Sequence, residues 1–314
     1  MRCFSLKSST SIHSPTSPPP NNNNNNNNNS SSSATATPRT VNLTREYTLA
    51  VQTNSYTELW STIHHHEQQQ QQQEDQTLMI DKVLHPNRDS IEEALRAVPR
   101  GNLTHHLVST YFHGSERTSR LCLLLHDSVA AARLLYSPLS DLLDLLPSSS
   151  ADVSQAQCDW AFDVLTGFDG ADNPFQGSVD GFADTRHCFA ELNRRLDRRR
   201  LRCLLFRRRE ELEAAAKGTY VLHNELDTID RLVARLRATV EGDKVLVKTG
   251  LRWGRDRCSV REVVRHLRRT HMGVQEQMRD LEEHVCLCFA TVNRARSQLL
   301  LELLRLYPNR HSKG

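Results

Sequence analysis

Aromatic residues and long apolar runs are both scarce in this chain. Phe, Trp and Tyr make up 6% of it, and the longest apolar stretches are Leu121–Leu125 and Val285–Ala290. Both are far shorter than the run of about 18 residues that crosses a bilayer as a helix. Hardly any segment alternates apolar and polar residues with β-branched enrichment, so we expect no sheet. The chain is therefore predicted to be all-α, with no membrane-spanning segment of its own.

The short motifs of common catalytic and cofactor sites are missing as well. There is no glycine-rich phosphate loop, no H-E-x-x-H and no G-x-S-x-G. His284 and Cys288 share a helix face, but a metal site needs further ligands and none has comparable spacing. We expect no enzyme activity, catalytic residue, metal, cofactor or small-molecule substrate. The eight cysteines are scattered, which indicates reduced thiols in a cytosol-facing protein.

Low-complexity sequence fills the N-terminus. An unbroken run of asparagine, residues 21–29, lies between proline-rich and serine-rich stretches. Such sequence buries too little apolar surface to offset the entropy of ordering, so we predict a disordered tail over residues 1–43. A helical N-terminal region is predicted over residues 44–209, with a polar loop rich in His and Gln over residues 64–77.

Local signals predict several helix ends. Ser90-Ile-Glu-Glu93 and Ser259-Val-Arg-Glu262 match the capping box and predict helix starts at the two serines. Pro138 is predicted to break the apolar helix that precedes it, because proline has no N–H to donate and its ring clashes with the preceding turn.

Apolar residues recur in alternating steps of three and four along two C-terminal segments. The second, from Val260 to Leu299, covers over five heptads, and a loop around Gly242–Gly254 separates the two. A pattern sustained this long predicts a coiled-coil seam, here an antiparallel hairpin over residues 210–307. Pairing within one chain and pairing between chains both stay open, as does the oligomeric state. The seam residues are Leu222, Leu226, Ile229, Val233, Val264, Leu267, Val274 and Leu281.

Arginine is concentrated just before the hairpin. Nine arginines fall between Arg194 and Arg209, opposed only by Asp197. Three interpretations stay open: a solvated helix face, contact with an anionic membrane surface, and nuclear import or RNA contact. Nucleic acid is not favoured, since the cluster lacks the interleaved aromatics of a stacking platform. The candidate contact residues are Arg198, Arg199, Arg200, Arg202, Arg207, Arg208 and Arg209.

Seven segments carry a resemblance to a group of plant proteins. They are Arg45–Tyr56, Leu107–Phe112, Ser119–His126, Tyr136–Leu143, Gln157–Asp163, Lys217–Leu222 and Asn293–Ser297. On these segments the chain resembles uncharacterised protein family 0496, also known as domain of unknown function 677. The resemblance implies an integrin-related, helical, membrane-associated protein, linked in some relatives to the contact between cell wall, plasma membrane and cytoskeleton. It implies no activity, cofactor or catalytic residue.

One departure from the family stands out. Relatives place a hydrophobic membrane segment between two basic flanks, just before the motif that begins at Lys217. Here only Cys203–Phe206 lies between the flanks, too short to cross a membrane. Either the protein has lost this anchor or the gene model omitted its coding segment.

These observations favour one function and leave one rival. We expect a non-catalytic interaction or scaffold protein on the cytoplasmic side of a membrane, with anionic lipid or membrane and cytoskeletal proteins as partners. The rival is a soluble regulatory adaptor that uses the arginine cluster for import or RNA contact. The expected fold is an all-α multi-helix bundle with a long antiparallel coiled-coil hairpin at the C-terminus.

Overall fold

Helix is the regular structure of the part of the chain that can be described. A computed structural model describes residues 41–52, 57–58, 61, 80, 82–98, 103–146, 153–177, 179–202 and 209–308. No strand occurs among these residues, which confirms the predicted all-α class. The helices with described bounds are α1 (Leu43–Val51), α2 (Arg88–Ala97), α3 (Leu103–Leu145), α4 (Gln155–Gly170), α5 (Val179–Arg202), α6 (Arg209–Leu251) and α7 (Arg257–Leu306).

Three long helices and one divided helix form a four-helix bundle. α7 packs along α6 on one side and along α3 on another. α4 and α5 follow each other along α6 and share the fourth position. Arg255, just beyond the end of α6, contacts Asp163 of α4 at 2.7 Å. Arg186 of α5 contacts Asp227, in the first half of α6, at 3.0 Å.

Contacts at two levels show that α6 and α7 are antiparallel. At one level, Asp243 of α6 accepts hydrogen bonds from Tyr136 of α3 at 2.8 Å and from Thr270 of α7 at 3.3 Å. At the other, Gly218 of α6 lies beside Ala295 of α7. The contact that lies earlier in α6 lies later in α7, so the two helices run in opposite directions and form the predicted hairpin.

The hairpin turn is shorter than expected. α6 continues through Gly242 to Leu251, so the predicted loop around Gly242–Gly254 is wrong and the turn covers residues 252–256. Val240 and Val247 are fully buried on either side of Gly242, and this packing outweighs the roughly 1 kcal/mol by which glycine disfavours a helix interior. Gly254 supplies the turn with a left-handed residue, φ +70°.

α3 also runs on where a break was predicted. It extends unbroken through Pro138 to Leu145, so the expected end before Pro138 is wrong. Proline costs about 3 kcal/mol inside a helix. Tyr136, Leu139 and Leu142 around it are at most 1% exposed. Their burial in the core offsets the cost of the missing hydrogen bond.

The two helices with a predicted capping box begin about one turn earlier than the serines predicted to cap them. Asn87 caps α2 by accepting from the Ser90 N–H at 3.1 Å, and Asp256 caps α7 by accepting from the Ser259 N–H at 2.9 Å. Each serine is therefore the third helical residue rather than the cap. Asn and Asp are at least as good as Ser at this position, and they occur first along the chain.

Cations from the hairpin hold the C-terminal ends of two neighbouring helices. Lys244 Nζ donates to the carbonyls of Phe168, at 2.9 Å, and Ala171, at the end of α4. Arg268 Nη2 donates to the carbonyl of Leu146, at 2.7 Å, at the end of α3. A positive charge at a helix C-terminus satisfies the last carbonyls and complements the helix dipole.

The predicted seam residues all lie in the core. Their exposed fractions run from 0 to 4%. His271, a polar position in the same pattern, is half-buried with Nε2 3.0 Å from Ser140 Oγ of α3. α6 and α7 also pack against α3, α4 and α5, so the pair is part of a larger bundle and its coiled-coil character stays a prediction.

The predicted boundary between the N-terminal helical region and the hairpin does not separate two folded units. Residues Val41–Gly314 form one compact unit, in which α3, α4 and α5 of the N-terminal region share a core with the hairpin. α1 begins at Leu43, one residue inside the predicted tail. The rest of that tail up to residue 40, and the polar loop over residues 64–77, lie outside the described residues.

We expect Leu226→Asp to lower the free energy of unfolding by at least about 3 kcal/mol, because the fully buried Leu226 would be replaced by an unpaired charge. Urea denaturation followed by circular dichroism measures the loss. Ala234→Asp, at an exposed position of the same helix, is the control and should lower stability by less than about 1 kcal/mol, mainly through helix propensity. Equal effects of the two variants would contradict the seam.

Candidate functional site

Four of the segments that carry the family resemblance meet beside the C-terminal half of α7. A Cβ on Gly218 would lie 2.6 Å from Tyr111 Oη and 3.1 Å from Ala295 Cβ, so the missing side chain lets α3, α6 and α7 approach closely. Lys217 Nζ lies 2.8 Å from Glu46 Oε1 and thereby ties α1 to α6. We call the residues Glu46, Tyr111, Lys217, Gly218 and Ala295 the motif junction.

Asn293 fastens the segment before α2 to α7, next to the motif junction. Its Nδ2 donates to the Val83 carbonyl at 2.7 Å, and its Oδ1 accepts from the His85 N–H at 2.9 Å. Asn293 is only 5% exposed, and one amide satisfies a backbone donor and a backbone acceptor of the same segment.

Arg296, one turn further along α7, joins the same segment to α3. Its Nη2 donates to the Pro86 carbonyl at 2.8 Å, and its Nη1 donates to Ser115 Oγ at 2.8 Å and to the Phe112 carbonyl at 3.2 Å. The guanidinium also lies 5.4 Å from the centre of the Phe112 ring. Burial lowers the pKa of Arg296 to about 10, so the side chain remains charged at neutral pH. A charge buried in this way is stabilised by carbonyl and hydroxyl oxygens.

A second buried contact joins α6, α7 and α1. His284 Nδ1 lies 2.8 Å from Glu225 Oε1, and Glu225 is fully buried. Burial disfavours the charged imidazole, but the hydrogen bond and the charge of Glu225 outweigh it and raise the pKa of His284. Burial, with the nearby charge of Glu225, also raises the pKa of Tyr47 of α1.

These groups are arranged to hold helices together. Asn293, Arg296, Glu225 and His284 each contact an element distant in sequence, and Lys217 does the same through Glu46. Across the described residues, no group of three or more His, Cys, Asp or Glu side chains is placed to hold a metal ion. Cys286 and Cys288 are buried.

The predicted arginine contacts lie where α5 ends and α6 begins. Arg198 is exposed and Arg199 is half-buried, both in the last turns of α5. Arg200, Arg202 and Arg209 belong to the helix termini, but their side chains are not described. Arg207 and Arg208 lie outside the described residues.

Two exposed leucines of α7 lie at the same level of the bundle as the end of α5 and the start of α6. Gly218 pairs with Ala295, so in an antiparallel hairpin the start of α6 at Arg209 is opposite Leu304. Leu301 is 65% exposed and Leu304 is 42% exposed. We call the end of the bundle where α5 ends and α6 begins, together with Leu301 and Leu304, the basic end. None of the described helices has the length and apolar character needed to cross a bilayer.

Sequence reasoning missed the buried polar residues of α6 and α7. A two-helix hairpin leaves half of each helix in water, so Glu225, Asn293 and Arg296 would be solvated there. α1, α2 and α3 instead pack on the hairpin, which is why these residues are buried. The available signal was that Asn293 and Arg296 come directly after the apolar run Val285–Ala290, within a segment that carries the resemblance.

Comparison with known proteins gives a match over most of the chain. The chain is 34% identical, over an alignment 329 residues long, to UPF0496 protein At3g19250 of Arabidopsis thaliana. The match covers 85% of this chain and 90% of the relative. It is 33% identical over 93 residues to UPF0496 protein At1g20180 of the same plant, covering 30% of this chain and 24% of the relative. No family model and no solved structure matches the chain.

We expect Arg296→Met to lower the free energy of unfolding by about 2–4 kcal/mol, since it leaves buried carbonyls without donors while keeping an apolar stem. Hydrogen exchange read by mass spectrometry should show selective loss of protection in α2, which Arg296 fastens through Pro86. Arg305→Met, near the exposed end of the same helix, is the control. A uniform loss of protection over the bundle would contradict the local attachment of α2 by Arg296.

We expect the stabilisation by His284 to depend on pH. Because the pKa of His284 is raised in the folded state, this contribution is complete below its ordinary value of 6.5 and is lost as the pH rises through the raised value. The difference in unfolding free energy between wild type and His284→Gln should therefore shrink from pH 5.5 to pH 8.5. Met272→Gln, exposed on the same helix, is the control. A difference that is constant with pH would contradict the pairing with Glu225.

Proposed function

The chain belongs to the UPF0496 family of plant proteins, and we propose that it is a non-catalytic scaffold attached to the cytoplasmic face of a membrane through its basic end. The observation that carries this proposal is the position of exposed Leu301 and Leu304 at the same end of the bundle as the arginine cluster. Cationic and apolar groups at one end of a bundle suit the boundary between lipid headgroups and acyl chains.

The arginines supply the electrostatic part of the attraction. Arg198 is exposed in the last turns of α5, and six further arginines follow by residue 209. Each basic residue close to an anionic leaflet contributes on the order of 1 kcal/mol, so a cluster of this size supports reversible attachment without a membrane span. Leu301 and Leu304 add an apolar contact that does not depend on salt.

The polar contacts inside the bundle support a structural rather than a catalytic role. Lys217 binds Glu46 and Arg296 binds backbone carbonyls, so these charges stabilise the packing of α1, α2 and α3 on the hairpin. Glu225 binds His284 and joins the two helices of the hairpin to each other. A body held together in this way keeps its shape when one end meets a surface. Such rigidity suits a scaffold.

The finer features implied by the family belong to the same proposal. We propose an integrin-related character, membership of the domain of unknown function 677, and partners among anionic lipids and membrane or cytoskeletal proteins. The exposed thiols of Cys188 and Cys258 are free, as suits the reducing cytoplasmic side.

We expect the purified chain to bind vesicles that contain phosphatidylserine, more strongly as the anionic fraction rises and more weakly as salt is added. The Debye length is about 8 Å at physiological ionic strength, so salt screens this attraction. Vesicle co-sedimentation measures the binding. Glutamine at Arg198, Arg199, Arg200, Arg207, Arg208 and Arg209 should abolish it.

The control variant removes the same number of charges elsewhere on the bundle and should bind like wild type. It carries glutamine at Arg231, Arg235, Arg252, Arg261, Arg265 and Arg269. A chain that ignores anionic vesicles even at low ionic strength would overturn the membrane proposal. Loss of nuclear accumulation in the first variant would then favour the soluble adaptor.

A further inference from the structure

A surface cleft lies at the end of the bundle opposite the basic end. It has a volume of about 390 Å³ and is formed by the last turns of α6, the hairpin turn and the first turns of α7. Leu246 and Val263 give it an apolar lining. Trp253 of the turn also lines the cleft, and 73% of its surface is exposed. We call it the turn cleft.

The rim of the turn cleft is cationic. Arg265, His266 and Arg269 of α7 line it and are exposed, together with one carboxylate, Glu262. Arg265 Nη2 lies 2.6 Å from Glu262 Oε2, so these two charges cancel. Arg269 makes no ion pair with any described residue and leaves the rim with a net positive charge.

Further arginines around the turn add to this charge. Arg252 and Arg261 likewise make no ion pair within the described part of the chain, and the Asp256 carboxylate near Arg261 offsets one of these charges. Arg257 donates to the neutral side chain of Gln155 at 2.9 Å, which leaves its charge uncancelled. Arg255 differs, since Asp159 and Asp163 of α4 neutralise it.

We propose that the turn cleft binds an acidic peptide segment of a partner protein. An apolar side chain of that segment would lie between Trp253 and Val263, and its carboxylates would face Arg265 and Arg269. Exposed tryptophan and arginine beside a pocket are the residues most enriched among those that dominate binding energy. Opposite charge across the interface supplies specificity and faster association.

Charge and shape argue against two other occupants. The first 40 residues of this chain contain no Asp or Glu and carry Arg2, Lys7 and Arg39, so this segment would be repelled. A lipid bilayer presents a broad surface that does not fill a cleft with Glu262 in its wall. An acidic peptide satisfies both the concave shape and the positive rim.

This inference does not depend on attachment to a membrane, because the two sites lie far apart on α7. From Arg265 to Leu301 the helix rises 1.5 Å per residue, a separation of roughly 55 Å. Failure at one site therefore leaves the other intact.

The probe is a short fluorescein-labelled peptide with a central Leu-Phe pair flanked by glutamates, and the matched probe has glutamine in place of each glutamate. Fluorescence anisotropy with the full chain should show saturable binding of the first, weakened by salt, and much weaker binding of the second. Trp253→Ala should weaken binding at least about tenfold, and Arg269→Gln about threefold to tenfold. Met272→Ala and Arg231→Gln, exposed outside the cleft, should bind like wild type.

Two thiols locate the bound peptide. Cys258 lines the turn cleft and is exposed, whereas Cys188 is exposed on α5. Saturating peptide should slow alkylation of Cys258 by iodoacetamide and leave Cys188 unchanged, as read by peptide mass spectrometry. Equal binding by Trp253→Ala, Arg269→Gln and wild type, or no protection of Cys258, would overturn the proposal. So would binding of phosphatidylserine vesicles through Trp253 without binding of the peptide.

Discussion

The fold depends on the enclosure of α7 by its neighbours. α6 and α3 flank this helix, and α1 and α2 pack on its C-terminal half, so hardly any of its surface between Val285 and Arg296 reaches water. A buried polar side chain in that stretch is costly unless it finds a partner inside the protein. Asn293 and Arg296 do so by binding the backbone before α2 and the first third of α3. Apolar packing assembles the helices, and these polar contacts select which short segments complete the bundle.

The same enclosure explains how much the sequence could predict. The buried positions of Leu226 and Leu267 follow from spacing alone, because a long run of steps of three and four leaves one apolar face. Local propensity, which is all that a single sequence provides, indicates breaks at Pro138 and Gly242. In the bundle, the buried neighbours on both sides of each residue offset a cost of about 3 kcal/mol for proline and about 1 kcal/mol for glycine. The burial of Arg296 could not be predicted from the sequence, since the helices that bury it are distant along the chain.

Charge raised a similar problem, because a count of arginines does not separate structural cations from surface cations. Arg268 and Lys244 donate hydrogen bonds to the C-terminal carbonyls of α3 and α4. Arg255 forms ion pairs with two carboxylates. Arg269 lies next to Arg268 in sequence but faces the turn cleft. The cluster before the hairpin was identifiable from sequence because it is dense. The cationic rim around Trp253 was not, because only the folded hairpin brings that tryptophan beside the exposed arginines of α7.

The unbroken course of α7 gives the molecule a fixed length scale. A single helix of 50 residues has a rise of roughly 75 Å, and it contains no proline to kink it. Because α6 and α3 pack along it, bending α7 would require the whole bundle to deform. Whatever is held at one terminus of this helix is kept at a set standoff from whatever is held at the other. The length of the bundle is therefore set by the number of residues in this one helix.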